Sequence, residues 1–109
     1  MDLLKPAWRW IIRRKHGRGV TFLNREKPLW PNSIDPIILD MNDRDHCVLA
    51  QVYGEGYSEA CRSLNISGSN YGFDLPQMPI RHRGAYFAYL KSLWLEERER
   101  QLAEMSEDV

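Results

Sequence analysis

The sequence predicts a mainly α-helical fold, a small compact single domain of short helices with a long C-terminal helix. Three apolar stripes carry that expectation. Leu4, Trp8, Ile11 and Ile12 recur at helical spacing near the start. Tyr57, Ala60, Cys61 and Leu64 follow the i, i+3, i+4, i+7 pattern in the middle, and Tyr86, Tyr89, Leu90 and Leu93 form a third stripe near the end. With 109 residues, a single core buries about two-thirds of the unfolded surface, so one domain is expected. A composition of 43% hydrophobic and 28% charged residues argues against wholesale disorder.

Taken in order, the first helix is expected from about Leu3 to Lys15, with Pro6 tolerable in its first turn and Gly17 and Gly19 as stops. A short second helix covers Thr21 to Lys27, before Pro28 and Pro31 break regular structure around Trp30. Asn32 to Asp45 reads as an ordered connection anchored by Ile34, Ile37, Ile38 and Leu39, with one helical turn after Asp35 or, alternatively, a short strand. Asp43 or Asp45 then caps a helix from His46 to Tyr53, whose run Cys47 to Ala50 is too apolar for an exposed place.

Gly54 and Gly56 allow a tight inter-helix turn in which Tyr53 and Tyr57 both pack. Ile66 to Gly72 reads as a surface loop, after which Phe73 and Leu75 return to the core. The last helix is expected from about His82 to Leu102, with Glu96 and Arg100 paired at i, i+4. Few apolar anchors follow Leu95, so its final turns are expected to extend beyond the body of the domain and fray.

Formal net charge is zero, but its distribution is uneven. Residues 1 to 30 hold eight Lys or Arg against two acids, a net +6, and residues 31 to 75 hold two Arg against seven acids, a net −5. Such polarity steers a partner or holds two halves together. No apolar run approaches the roughly 18 to 20 residues that cross a bilayer, and the N-terminus lacks the pattern of a secretion signal, so an intracellular place is expected. Two cysteines are too few for a disulfide scaffold, and Cys47 and Cys61 are expected to be reduced and buried.

Each candidate for chemistry has a plainer reading. His46, Cys47, Cys61, Asp43 and Asp45 are residue types that bind zinc, yet the close ligand pairs of a structural zinc site are missing, and neither metal nor cofactor is expected. Cys47 beside His46 suggests a nucleophile, but neighbours on a helix point about 100° apart, so a base would have to come from elsewhere, such as His82. Gly54-Glu55-Gly56 lacks the continuation of a phosphate loop. No catalytic residue is assigned.

The basic first helix carries more weight, although a solvated or intramolecularly paired basic face is its plainer reading. Trp8 and Trp10 interleave with Arg9, Arg13, Arg14 and Lys15, the ingredients of a phosphate-contacting or membrane-surface helix, although Trp8 lies on the core stripe. Trp10, Trp30, Tyr71 and Trp94 are the aromatics that periodicity does not bury, and Tyr, Trp and Arg dominate interface hot spots. The expected contact residues are therefore Trp10, Arg9, Arg13 and Trp94.

The segments Leu39-Asp40-Met41, Cys47-Val48-Leu49-Ala50-Gln51-Val52-Tyr53-Gly54, Tyr57 and Gly72-Phe73-Asp74, followed by a helix with Tyr86, Leu90 and Trp94, resemble a family of small uncharacterised proteins of actinobacteriophages and related prophages. That family carries a Leu-Asp segment, a Cys-Val-Leu-Gly-Gln-Leu-Tyr-Gly type core and a later Gly-Phe-Asp. The resemblance covers residues 20 to 95, departing at Ala50, where the family often has Gly, and at the basic helix before residue 20. Residues 1–19 are thus a basic amphipathic helix, 20–95 the family-like core and 96–109 a charged helix end and tail. The resemblance implies a phage or prophage origin and a place in the bacterial host cytoplasm. Together with the absence of a catalytic constellation, it leads to a non-catalytic accessory protein that binds a host or phage protein. The alternative is a nucleic-acid-binding module using the basic helix.

Overall fold

Twenty-one consecutive residues, Pro6–Glu26, form one helix, α1, in the computed structural model, which describes residues 4–78 and 81–107. The two helices expected on either side of Gly17 and Gly19 are therefore one, and the expected boundary at residue 19 falls inside it. A helical glycine costs only about 1 kcal/mol relative to alanine, which packing outweighs when the residues beyond it must stay in phase. Here Phe22 and Leu23 are buried on the same body as Ile12. Gly19 is itself buried, and a methyl group there would run into the backbone carbonyl of Tyr71 and meet the Trp94 ring at 3.1 Å. It is a site of close approach between elements, not a stop.

Pro28 does break the helix, since α1 ends at Glu26 and residues 27–29 form a turn, but Pro31 does not. Trp30–Ser33 is a short helix, α2, with Pro31 in its first turn, where the missing N–H has no helical partner to lose. Trp30 is buried, donates its indole N–H to Asn24 Oδ1 at 2.9 Å and stands edge-on to Trp94 with ring centres 5.4 Å apart. The chain then runs through turns to α3, Val48–Tyr53, with neither the helix after Asp35 nor the alternative strand. Side-chain carboxylates shape this stretch: Asp35 accepts from the Ile37 N–H at 2.9 Å, Asp40 from Asn42 at 2.9 Å and Asp43 from Asp45 at 2.8 Å. Asp43 and Asp45 consequently leave α3 uncapped, and Cys47 occupies its N-cap without a side-chain bond. Gln51 ties the stretch down, accepting from the Asp35 N–H at 2.6 Å and donating to the His46 carbonyl at 3.0 Å.

Gly54, at φ 70°, ends α3 in the left-handed conformation that glycine adopts without steric cost, and α4 follows as Tyr57–Leu64. The stretch expected to be a surface loop instead forms a 3-10 turn, Gly68–Tyr71, packed on α1, with Gly68 and Gly72 buried. The last helix, α5, is Arg83–Glu107. Its end does not project free as expected. Gln101 is 8% exposed and donates to Asn24 Oδ1 at 3.1 Å, and Arg98 Nε donates to the Pro31 carbonyl at 3.2 Å, which docks these turns on α1 and α2. Arg100 pairs with Glu97 and Glu104 in place of Glu96.

The aromatic centre joins these elements. Phe73 stacks on Trp94 with centres 5.5 Å apart and planes at 13°, and Phe22 meets Phe73 from α1. A radius of gyration of 13.7 Å compares with about 13 Å for a compact domain of this length, so the long helices do not extend the fold unduly. Among the described residues there is no strand, and no helix is long and apolar enough to cross a membrane.

The two α1 glycines separate packing from propensity. Gly17 has nothing within 4 Å of the position a Cβ would take, so Gly17→Ala is expected to stabilise the chain by about 1 kcal/mol. Gly19→Ala is expected to destabilise it by about 3 kcal/mol, because backbone must move to make room. Urea unfolding of both variants measures the two effects, and equal shifts would contradict the close-packed role of Gly19.

Candidate functional site

The outer face of α1 is the first candidate. Trp10 is 61% exposed, and the Arg14 guanidinium lies 5.5 Å from its ring centre. Arg18 lies over Tyr71 at 5.4 Å and Arg25 over Phe22 at 5.7 Å. At 3.6 residues per turn, Trp10, Arg14, Arg18, Thr21 and Arg25 fall on one stripe, about 22 Å long at 1.5 Å per residue. An open groove of about 460 Å³ follows its C-terminal half, floored by Phe22 and Tyr71. Arg13, Arg14 and Arg18 meet no carboxylate within 4 Å among the described residues, whereas Arg25 pairs with Glu26. Stacking on rings orients the guanidiniums of Arg14 and Arg18 while leaving their N–H groups available.

Of the four expected contact residues, the structure brings three onto α1. Trp10 and Arg13 are exposed and Arg9 is half-buried. Trp94 is not a contact residue: it is 1% exposed, and its indole N–H donates to the Gly72 carbonyl at 2.7 Å. Trp30 is likewise core, and Tyr71 is half-buried beneath Arg18. Trp94 continues the Tyr86, Leu90 and Leu93 stripe at i+4 from Leu90, so helical spacing was a signal that could have placed it in the core. Its true environment is made by Gly72 and Phe73, far away in sequence.

The residues that carry the phage-family resemblance converge on one small cavity of about 150 Å³, to which Met41, Cys47, Tyr57, Phe73 and Asp74 all contribute. Its polar groups are engaged with neighbours. Arg44 Nη1 donates to the Ser58 hydroxyl at 2.5 Å and its guanidinium lies over the Tyr57 ring at 5.8 Å. Asp74 Oδ1 accepts from the Leu75 N–H at 2.7 Å, and Asp43 pairs with the exposed His46 ring at 2.9 Å. Burial, followed by the nearby Asp74 and Cys61, pushes the Tyr57 hydroxyl far up from its usual range. Burial also pushes the Cys47 thiol up, the opposite of what a thiolate nucleophile requires. His82, the other histidine considered for it, is exposed. No group of three or more His, Cys, Asp or Glu side chains comes together among the described residues in a way that could hold a metal ion.

Sequence reasoning missed a second surface. Ile37 and Ile38, expected to be anchors, point outward at 89% and 48% exposure, while Ile34, Leu39 and Met41 go inward. The missed signal is the Asp35 turn, which takes the Ile37 N–H and rotates the following side chains away from the core. With Gly84, Ala88 and Lys91 of α5, the two isoleucines border an open groove of about 510 Å³.

His16 sits at the junction of α1, Gly72 and α5. Its ring stands edge-on to Trp94 at 4.6 Å, its Nε2 is buried without a partner, and a methyl on Gly72 would press on its backbone. Burial lowers its pKa from 6.5 to about 4, Glu97 opposing this and Arg13 adding to it. The unfolded chain takes up that proton near pH 6.5 and the folded chain only near pH 4, so folding stability is full above pH 6.5 and falls between the two. The loss at His16 is expected to approach about 3 kcal/mol by pH 4. His16→Phe, which keeps an aromatic ring against Trp94, is expected to flatten the profile of unfolding free energy against pH across that window. An unchanged slope would remove His16 as its source.

No protein-family model, curated protein or solved structure matches this chain, so its chemistry is read from its own side chains.

Proposed function

We propose that this chain is a phage-encoded accessory protein of the bacterial host cytoplasm that acts without catalysis, by binding a host or phage protein through the outer face of α1. The observation that carries this reading is Trp10, exposed over 61% of its surface and set among the unpaired guanidiniums of Arg13, Arg14 and Arg18. A solvent-facing indole offers a large apolar area for burial, and arginine forks bind carboxylates with two parallel hydrogen bonds. Together they suit a partner that presents a shallow apolar pocket rimmed by acidic side chains. Trp10, Arg13 and Arg9 are the contact residues of this reading. The phage-like middle of the chain supports the origin, and the raised Cys47 pKa weighs against cysteine catalysis.

A nucleic-acid partner is the second reading, favoured by the alignment of Arg14, Arg18 and Arg25 along one stripe of α1. It predicts retention that weakens steeply with salt, because each neutralised phosphate releases counterions.

Passing an actinobacterial lysate over the immobilised chain, with and without nuclease, separates the two. A protein retained after nuclease, and held at least tenfold more weakly by Trp10→Ala with Arg13→Ala, is the expected outcome; tenfold corresponds to about 1.4 kcal/mol. Retention lost on nuclease treatment transfers the function to nucleic acid. Alkylation of the folded chain at neutral pH tests the enzymatic alternative: Cys47 is expected to react only on the timescale of unfolding, and rapid modification would reopen cysteine chemistry.

A further inference from the structure

We infer that a second copy of this chain occupies these surfaces, the basic face of α1 in one copy docking head to tail on the Ile37 groove of the next, whose flanking turns carry Asp35 and Asp40. The inference rests on the reading of α1 as a binding face and names the partner it takes. Four observations carry it.

The first is the apolar complementarity of the two surfaces. Trp10 stands out from α1, and Ile37 and Ile38 stand out beside the groove. The groove wall is kept low by small residues of α5, Gly84 and Ala88, and nothing lies within 4 Å of where a Cβ of Gly84 would sit. An indole therefore meets an open aliphatic ledge.

The second is charge. Residues 35–45 carry Asp35, Asp40, Asp43 and Asp45 against Arg44, a net −3. Asp35 and Asp40 spend their bonds on backbone N–H groups and meet no cation within 4 Å among the described residues. Among the lining residues Asp40 is the one acid and Lys91 the one cation, so the acidic excess lies in the turns around the groove. The α1 face offers Arg13, Arg14 and Arg18, equally without a carboxylate within 4 Å among the described residues, Glu96 and Glu97 sharing only the groove that Arg13 lines.

The third is geometry. Gly84, Phe87, Ala88 and Lys91 of α5 line the Ile37 groove, while Leu93, Glu96, Glu97 and Arg100 line a groove on the α1 side that includes Arg13. Each member of the second quartet lies nine residues after its counterpart in the first. Nine residues are about two and a half turns of helix, so the two quartets occupy opposite faces of α5. The basic and acidic surfaces therefore cannot satisfy one another within a single copy.

The fourth is balance. Zero net charge imposes no overall repulsion between copies, so the arginines of α1 and the aspartates of residues 35–45 attract one another across copies. Such a contact is heterologous: every copy uses each face once, and the assembly closes into a ring or continues as a chain.

Sedimentation velocity on the purified full chain tests this with two variants. One replaces Arg13, Arg14 and Arg18 with Gln. The other carries Ile37→Asn, Asp35→Asn and Asp40→Asn, where asparagine keeps the oxygen that accepts the Ile37 and Asn42 N–H groups. All six side chains are exposed, so both variants are expected to fold, which circular dichroism and thermal unfolding check. The wild-type average mass is expected to rise with concentration between about 1 μM and 1 mM. It is expected to fall again as salt goes from about 0.1 M to 1 M and the screening length drops from about 10 Å to about 3 Å. Each variant alone is expected to be monomeric, and an equal mixture to form a dimer and nothing larger, because only one intact pair of faces remains.

A wild-type chain that stays monomeric, a single variant that still self-associates, or a mixture that stays monomeric overturns the inference. A monomeric wild type that nevertheless retains a Trp10-dependent partner from lysate removes self-association alone. Self-association as described with no other protein retained leaves it standing and removes the external partner.

Discussion

The close approach of Gly19 to the backbone carbonyl of Tyr71 sets the spacing from which the rest of the molecule follows. Without a side chain at that point, the 3-10 turn Gly68–Tyr71 comes down onto α1, and Gly72 then offers its carbonyl to the Trp94 indole at 2.7 Å. Trp94 held in this way stacks on Phe73 and meets the Trp30 and His16 rings at near right angles. The aromatic centre is thus assembled from α1, α2, the 3-10 turn and α5 by one indole with a satisfied N–H. Burying that N–H without a partner would cost on the order of 1–3 kcal/mol, so its bond to Gly72 fixes the relative placement of the elements as well as their contact.

The helical class and most of the core were legible, because apolar residues at 3.6-residue spacing leave a local trace. Val48, Leu49, Ala60, Tyr86 and Leu90 are buried as their stripes require. Boundaries were less legible wherever tertiary contact overrode local preference. Gly17 and Gly19 resemble stops until the turn packed against Gly19 is known, and Pro31 resembles a breaker until it is seen in a first turn. The docking of the α5 end was invisible for another reason. Gln101 and Arg98 are polar, and their buried bonds go to Asn24 and the Pro31 carbonyl, more than sixty residues away. No periodicity marks a polar side chain that is satisfied at such a distance.

The candidate surfaces divide in the same way. Trp10 and its arginines could be placed outside because they lie off the Leu4, Trp8, Ile11 and Ile12 stripe, a matter of helical angle alone. Ile37 and Ile38 could not, since isoleucine outside a helix carries no orientation until the turn geometry is known. Five residues of the resemblance motifs, in turn, meet at a cavity where Arg44 and Asp74 are engaged by neighbouring groups, so their clustering describes how the middle of the chain is built before it says anything of a ligand.

The turns of residues 35–45 have a further consequence. Their backbone is held by Asp35, Asp40 and Asp43 reaching two residues ahead and by Gln51 reaching across, while Ile37 and Ile38 contribute nothing to that scaffold except their main chain. The outward side chains can therefore change without loosening the segment that presents them. The shape of this short loop and the aliphatic surface it exposes are thus set by different residues, so substitution at Ile37 or Ile38 can alter that surface while the turns are inherited intact.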